Sequence, residues 1–278
     1  MIPIKDNIPT DRFPIVTVLL IVANFIVYLL AIRHGGSFIS GPDAHEVLKY
    51  GAIPQALSHA VEHPNQFTHA SSVHCANVVS TFNPGNPEIL CNARELAANG
   101  IGAENTLPVW ETVFSSMFMH GSILHIGGNM LFLWIFGNNV EDSMGPVKFI
   151  CFYLIGGVAA LALQTAIDAN STAPTVGASG AIAAVLGGYI LLYPKARVLT
   201  LVFIILFFTV IELPALVMLG IWFAEQAVFG AAGLTNPAGG NGGGVAYFAH
   251  VGGFVFGLAT IRLLATKIKT IPPRFPVY

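Results

Sequence analysis

The chain reads as an all-α membrane protein built from six spanning helices, and three observations lead there. Hydrophobic residues make up 54% of the sequence and charged residues only 9%, whereas a soluble domain carries about a quarter charged residues. Apolar blocks long enough to cross a bilayer recur along the chain. Basic residues gather at particular joints between those blocks, the asymmetry that sets the orientation of membrane proteins. The formal net charge of −2 argues against nucleic acid as a partner, and no basic run marks a lipid-surface patch. Three cysteines, two of them in one polar loop, are too few for a disulfide framework.

Residues 14–32 form an uninterrupted apolar run, read as span 1. The run is long for the apolar core of a signal peptide, and no small-residue cleavage site follows Arg33. Residues 34–108 turn polar, with Asp43, Glu46, Glu62, Glu88, Glu95 and Glu104 outnumbering Arg33, Lys49 and Arg94. This is a long loop between spans 1 and 2. Span 2 follows at 123–140, span 3 at 147–167, span 4 at 179–192 with a few flanking residues, and span 6 at 245–264.

The stretch 198–232 is too long for one span and short for two. Lys195 and Arg197 follow span 4, and Arg262, Lys267, Lys269 and Arg274 follow span 6. The joint after span 3 has no basic residue, and loop 1 is net acidic. The positive-inside rule therefore puts both termini in the cytoplasm and requires an even number of crossings. Span 5 is then expected near 215–231, with 198–211 lying along the interface or dipping into it. The whole chain, 1–278, reads as one membrane domain. The lack of a transit-like N-terminus and the short tails point to a bacterial inner or plasma membrane.

Chemistry concentrates where three spans begin. In Gly177-Ala-Ser179-Gly180, Ser179 stands at a helix N-terminus, where unpaired N–H groups and the helix dipole favour developing negative charge. His120, His125 and Asn129 enter span 2, the last two on one helix face. His250 lies in the first turns of span 6, followed by Gly253-x-x-x-Gly257, a close-contact spacing. Each feature alone has a plainer reading, since small residues let helices approach and an intramembrane His or Asn can bond a neighbouring helix. Taken together they share one depth on the outer side of the bilayer, and polar groups inside a span are costly.

The set meets the needs of acyl transfer. Ser179 is the nucleophile, and His250 is the base that accepts its proton. His125, Asn129 and the Ser179 backbone N–H are the donors to an oxyanion. No intramembrane carboxylate stands ready to orient His250, so a dyad is expected rather than a triad. Gly177, Gly180, Ala184, Gly187 and Gly188 would let spans 4 and 6 come within hydrogen-bonding reach.

At these residues the sequence resembles the rhomboid family of intramembrane serine proteases. The matching motifs are Gly177-Ala178-Ser179-Gly180, the spacing His120…His125…Asn129, Glu141-x-x-x-Gly145 and Ala249-His250-x-Gly-Gly. The resemblance covers nearly the whole chain outside roughly 58–106, which looks inserted, and implies a six-helix rhomboid bundle. It implies Ser179 as nucleophile, His250 as base, and His125 and Asn129 lining the oxyanion hole. It also implies a structural hydrogen-bonding role for Glu141, and no metal or organic cofactor. The substrate would be a single-span membrane protein cut near the outer surface. Water would enter through an outward-open cavity, capped by the loop that holds Asn241-Gly-Gly-Gly244.

Two positions depart from the family pattern: Trp110 is followed by Glu111 where the family often has Arg, and Ala183 replaces the aromatic that often stacks on the base. Other packing must then hold His250. The rival readings are a rhomboid-like binding or chaperone protein that has lost catalysis, and a small transporter. The presence of both Ser179 and His250 weighs against the first. The lack of an internal repeat or of deep charges weighs against the second.

Loop 1 also holds His59, His63, His69, His74 and Cys75, but its Pro- and Ser-rich composition argues against a metal site. Cys75 and Cys91 leave a loop-closing disulfide and free thiols equally open. Cys151 in span 3 is expected as a buried small hydrophobe.

Overall fold

The computed structural model describes residues 1–62, 107–171, 173–204, 207–235 and 245–269. His63, His69, His74, Cys75, Cys91 and the glycine run at 242–244 lie outside the described residues, as does the side chain of His59. Most of the described chain is helical. Helix α1 (Ile15–His34) is followed by a minimal antiparallel pair, β2 (Gly36–Ser37) and β3 (Gly41–Pro42), and by the short helices α2 (Ala44–Tyr50) and α3 (Pro54–Glu62). Helix α4 (Val109–Ser115) leads into α5, which runs as Ile123–Phe132, passes through a π-helical turn at Leu133–Gly137 and ends as Asn138–Met144. Then come α6 (Pro146–Ile167), α7 (Ser179–Leu192), α8 (Ala215–Thr235) and α9 (Tyr247–Leu264).

Among the described residues, four helices are long and apolar enough to cross a membrane: Ile15–His34, Pro146–Ile167, Ala215–Leu234 and Tyr247–Leu264. Their outer faces carry exposed Leu19, Leu30, Ile155, Val228 and Leu263, which only lipid can cover at low cost. The molecule is an integral membrane protein. Helix α7 differs from these four. It has only 14 residues, and it is buried from Gly180 to Ile190. It forms the axis of the bundle, enclosed chiefly by α6 and α9. Tyr28, Phe136, Phe149, Phe152, Tyr153 and Tyr189 fill the core around it.

Close backbone approach sets the α7–α9 contact. A Cβ at Gly253 would fall 2.0 Å from the Gly180 carbonyl oxygen, and one at Gly257 would fall 2.0 Å from that of Ala184. From the other side, a Cβ at Gly187 would meet the Phe254 carbonyl oxygen at 2.1 Å. No side chain fits at these crossings, so the sequence spacing translates directly into interhelical distance. Gly180 itself packs mainly the other way, its missing Cβ lying 2.7 Å from the Ala160 Cβ on α6.

One expectation gains a conformation and another needs correction. The stretch after span 4, expected to lie along the interface or dip into it, is not helical. It forms the antiparallel pair β4 (Arg197–Ile204) and β5 (Phe207–Pro214), and β4 also pairs with β1 (Ile2–Asp6). Its alternating β-branched residues (Val198, Thr200, Val202) suit a pleated strand better than a helix. The small sheet is an addition to the expected all-α bundle. Cys151 is exposed on α6 rather than buried. Apolar character does not separate inside from outside where the surrounding solvent is lipid.

Polar anchors secure the end of the bundle opposite Ser179. Glu141, buried near the end of α5, accepts hydrogen bonds from Val16 N–H (3.0 Å), Thr17 N–H (2.8 Å) and the Thr17 hydroxyl (2.8 Å). It thus satisfies the free donors at the start of α1. Gly145, at φ +85°, joins α5 to α6 in a conformation that glycine adopts without strain. Lys267 pairs with Asp11, and Lys269 pairs with Asp142, so the segment after α9 meets the segment before α1. In β1, Asp6 accepts from the Tyr189 hydroxyl (2.5 Å) and from Asn139 Nδ2 (2.8 Å).

Burial pushes the Asp6 carboxyl up to about 6, against the pull of its bonds to Tyr189 and Asn139. The folded pKa is raised, so the stability contributed by Asp6 is whole below about pH 4 and is lost as pH rises through about 6. The loss amounts to about 3 kcal/mol. Unfolding measured in detergent should show wild type losing that stability between pH 4 and 7, while Asp6→Asn stays flat over the same range. Gly257→Val should lower stability by at least about 1–3 kcal/mol by forcing α7 and α9 apart, read by the same thermal unfolding.

Candidate active site

Ser179 is the first residue of α7, so its backbone N–H has no acceptor within the helix. The Ser179 hydroxyl lies 2.8 Å from His250 Nε2 on α9. The other ring nitrogen, Nδ1, lies 2.7 Å from Gln226 Oε1 on α8. The Trp222 ring, one turn before Gln226, sits against the imidazole with centroids 5.7 Å apart and planes tilted by 35°. Gln226 and Trp222 supply the packing that Ala183 cannot. Composition gave no hint of either, since an amide and an indole in an apolar helix have many structural uses. Their spacing of four residues, which puts them on one face of α8, was the available signal.

Two histidines hold the turn that leads into Ser179. The Ala178 N–H donates to His120 Nε2 (3.4 Å), and His120 Nδ1 donates to the Phe118 carbonyl (3.3 Å). These bonds fix a neutral His120, fully buried, as a brace beneath the turn. His125 is the first-turn residue whose N–H is capped by the Ser122 hydroxyl at 3.1 Å. Its Nδ1 accepts from Gly121 N–H at 3.4 Å, which leaves the proton on Nε2. That nitrogen faces Gly177, where a Cβ would lie only 2.8 Å from it. Gly177 has φ +121°, and its N–H donates to the Ser116 carbonyl at 2.8 Å. Both the conformation and the contact require glycine.

Asn129 lies one turn beyond His125 on α5. Its Nδ2 is buried and has no hydrogen-bond partner among the described residues. It stands 3.7 Å from where a Gly177 Cβ would be. An orphaned donor in such a place is costly unless something else accepts its proton. Ser179, His250, His125, Asn129 and Gly177 all line one cavity of about 510 Å³, bordered by Ser116, Trp222 and Val245. The structure therefore brings together these five residues, all singled out in the sequence, and it places His120 and Glu141 in supporting positions. Gly253 and Gly257 set the α7–α9 contact, while Gly180 serves the α6 side.

Loop 1 is tied to the same region. Ala52 and Thr175 exchange backbone hydrogen bonds at 3.0 and 2.7 Å, and Gln55 N–H donates to the Ser171 carbonyl at 3.0 Å. The Ser115 hydroxyl donates to the Tyr50 carbonyl at 2.7 Å. Trp110 on α4 is exposed.

Fold and site together define a helical membrane protein with a serine–histidine pair at the head of a short central helix. Residues 108–267 match the rhomboid domain, and the chain belongs to the rhomboid family. It is 31% identical over 153 residues to Rhomboid protein 1, mitochondrial, of Saccharomyces cerevisiae, covering 53% of this chain and 40% of that protein. To Presenilin-associated rhomboid-like protein, mitochondrial, of Homo sapiens it is 32% identical over 94 residues, 33% of this chain and 24% of the relative. To RHOMBOID-like protein 5 of Arabidopsis thaliana it is 31% identical over 78 residues, 28% of this chain and 25% of the relative. The chain thus spans less than half the length of the relatives it matches.

The strained turn gives a direct test. Gly177→Ala should cost about 1–3 kcal/mol through its positive φ and its contact with His125. Gly121→Ala, with open space where its Cβ would stand, should be nearly neutral. Thermal unfolding of the two variants in one detergent compares them.

Proposed function

We propose that this rhomboid protein is an intramembrane serine endopeptidase that cuts single-span membrane proteins near the outer half of the bilayer. The observation that carries the reading is the 2.8 Å bond between Ser179 and His250, beside a buried Asn129 amide with no partner of its own. In this mechanism His250 Nε2 takes the Ser179 proton as Oγ attacks the scissile carbonyl carbon. The carbonyl oxygen gains negative charge and meets donors already aimed at it: His125 Nε2–H, Asn129 Nδ2–H and Ser179 N–H. Protonated His250 then gives its proton to the leaving amine, and the acyl-enzyme remains. Water entering the cavity completes hydrolysis by the same steps, with His250 again as base.

Helix length supports the depth of the cut. Fourteen residues span only about 21 Å, less than the ~30 Å hydrocarbon layer. If the end of α7 at Leu192 lies at one membrane face, Ser179 stands inside the layer and depends on the cavity for water. The substrate enters from lipid, with its backbone unfolded locally so that the carbonyl is free.

We further take the chain as one six-span domain with both termini cytoplasmic, the cavity opening on the other side, and residues 34–108 as an extracytoplasmic loop enlarged at roughly 58–106. The bacterial membrane expected from the sequence finds no support in the yeast and human relatives, whose names place them in mitochondria.

Purified protein and a single-span reporter in detergent provide the test. Ser179→Ala and His250→Ala, both still folded, should abolish cleavage. Asn129→Ala should lower kcat by roughly 10²–10³, the usual effect of losing one oxyanion donor. Cleavage that survives Ser179→Ala would refute the mechanism. Failure of wild type both to cleave and to react with a fluorophosphonate would favour a rhomboid protein that binds membrane segments without cutting them.

A further inference from the structure

We infer that Gln226 is a positioning residue that sets the tautomer of His250, giving the site an amide where serine hydrolases commonly use a carboxylate. The inference rests on the proposed peptidase reading for its consequence, though not for its geometry. Gln226 is 9% exposed. It lies on the far side of the imidazole from Ser179 and does not line the cavity. Its side chain bonds His250 and not the cavity wall, so the part argued for it runs through the imidazole.

The chemistry follows from counting protons. A neutral imidazole carries one N–H, and His250 can act as a base toward Ser179 only if Nε2 is the bare nitrogen. The proton must then sit on Nδ1, where burial demands an acceptor. Gln226 Oε1, at 2.7 Å, is that acceptor. Had the amide turned its NH₂ toward Nδ1, the proton would sit on Nε2 and point at the Ser179 oxygen, and no transfer from the serine could occur. Among the described residues no carboxylate is hydrogen-bonded to His250. The side-chain orientation of one amide thus decides whether the pair is poised or blocked.

The plainer alternative is that Gln226 merely ties α8 to α9. Trp222 argues for more than that. It stands four residues earlier on the same helix face and covers the imidazole ring, so α8 restrains both the plane and the edge of His250.

The test has a part that needs no catalysis. In full-length protein labelled with ¹⁵N-histidine, the His250 signals are identified by their loss in His250→Ala. Wild type should show Nδ1 protonated and Nε2 bare. The reverse pattern would overturn the proposal outright, whatever the activity. Gln226→Met keeps the side-chain length but removes the acceptor, and it should give a mixture of tautomers. In the reporter assay its kcat should fall by roughly 10- to 100-fold, as loss of a buried orienting hydrogen bond predicts, with KM within about twofold. Gln226→Glu restores an acceptor and should recover the wild-type tautomer and most of kcat. A folded Gln226→Met with the wild-type tautomer and kcat would leave Gln226 a simple interhelical tie and refute the inference. If no form cleaves, the peptidase reading fails, while the nitrogen signals still decide the role of Gln226.

Discussion

Everything at the head of α7 depends on how closely that helix meets α9. Carbonyl oxygens of Gly180 and Ala184 occupy the space that side chains at Gly253 and Gly257 would need. In lipid, where burying apolar surface brings little gain, packing of this kind is the main source of helix association. It also sets the serine–histidine distance. With Ser179 and Gly180 adjacent on α7, and His250 and Gly253 three apart on α9, the glycine contact fixes the separation of the two reactive side chains within one helical turn.

Around that contact, nearly every polar group in the site has a partner. His120 donates to Phe118 and accepts from Ala178; His125 accepts from Gly121; His250 bonds to Gln226 and Ser179. The Asn129 amide nitrogen is the buried exception in this group, and it stands beside the His125 Nε2–H and the Ser179 N–H. An apolar membrane protein has few ways to offset such a cost, so a satisfied framework around a small cluster of free donors is what a site waiting for an anionic oxygen should look like. The supporting groups follow the same logic at the other end of the bundle, where Glu141 satisfies the start of α1.

Much of this was legible in the sequence because polar residues stand out in apolar helices. Ser179, His125, Asn129 and His250 could be picked from the string for that reason alone, and the glycine spacing of α9 announced its neighbour. The residues left without a role lacked a readable partner. Gln226 sits in a stretch whose span boundaries were themselves uncertain, and nothing in its surroundings names its partner, which lies 24 positions away. The β4–β5 pair was hidden because an apolar run reads alike as an interfacial helix or as a strand, and only pairing with β1 settles it. Cys151 misled because the outside of this protein is as apolar as its core.

The three residues that meet at the imidazole come from three helices, in the order α7, α8, α9 along the chain. A ribosome making this protein releases Ser179 first, Gln226 next and His250 last. The helix with the hydroxyl can enter the bilayer and pack against α6 well before its partner exists. The hydrogen-bonded pair forms only once α9 has been inserted, and the clasp of Lys267 on Asp11 closes after that. A chain interrupted before α9 therefore carries an unpaired serine, so biogenesis itself withholds the completed site until that helix is in place.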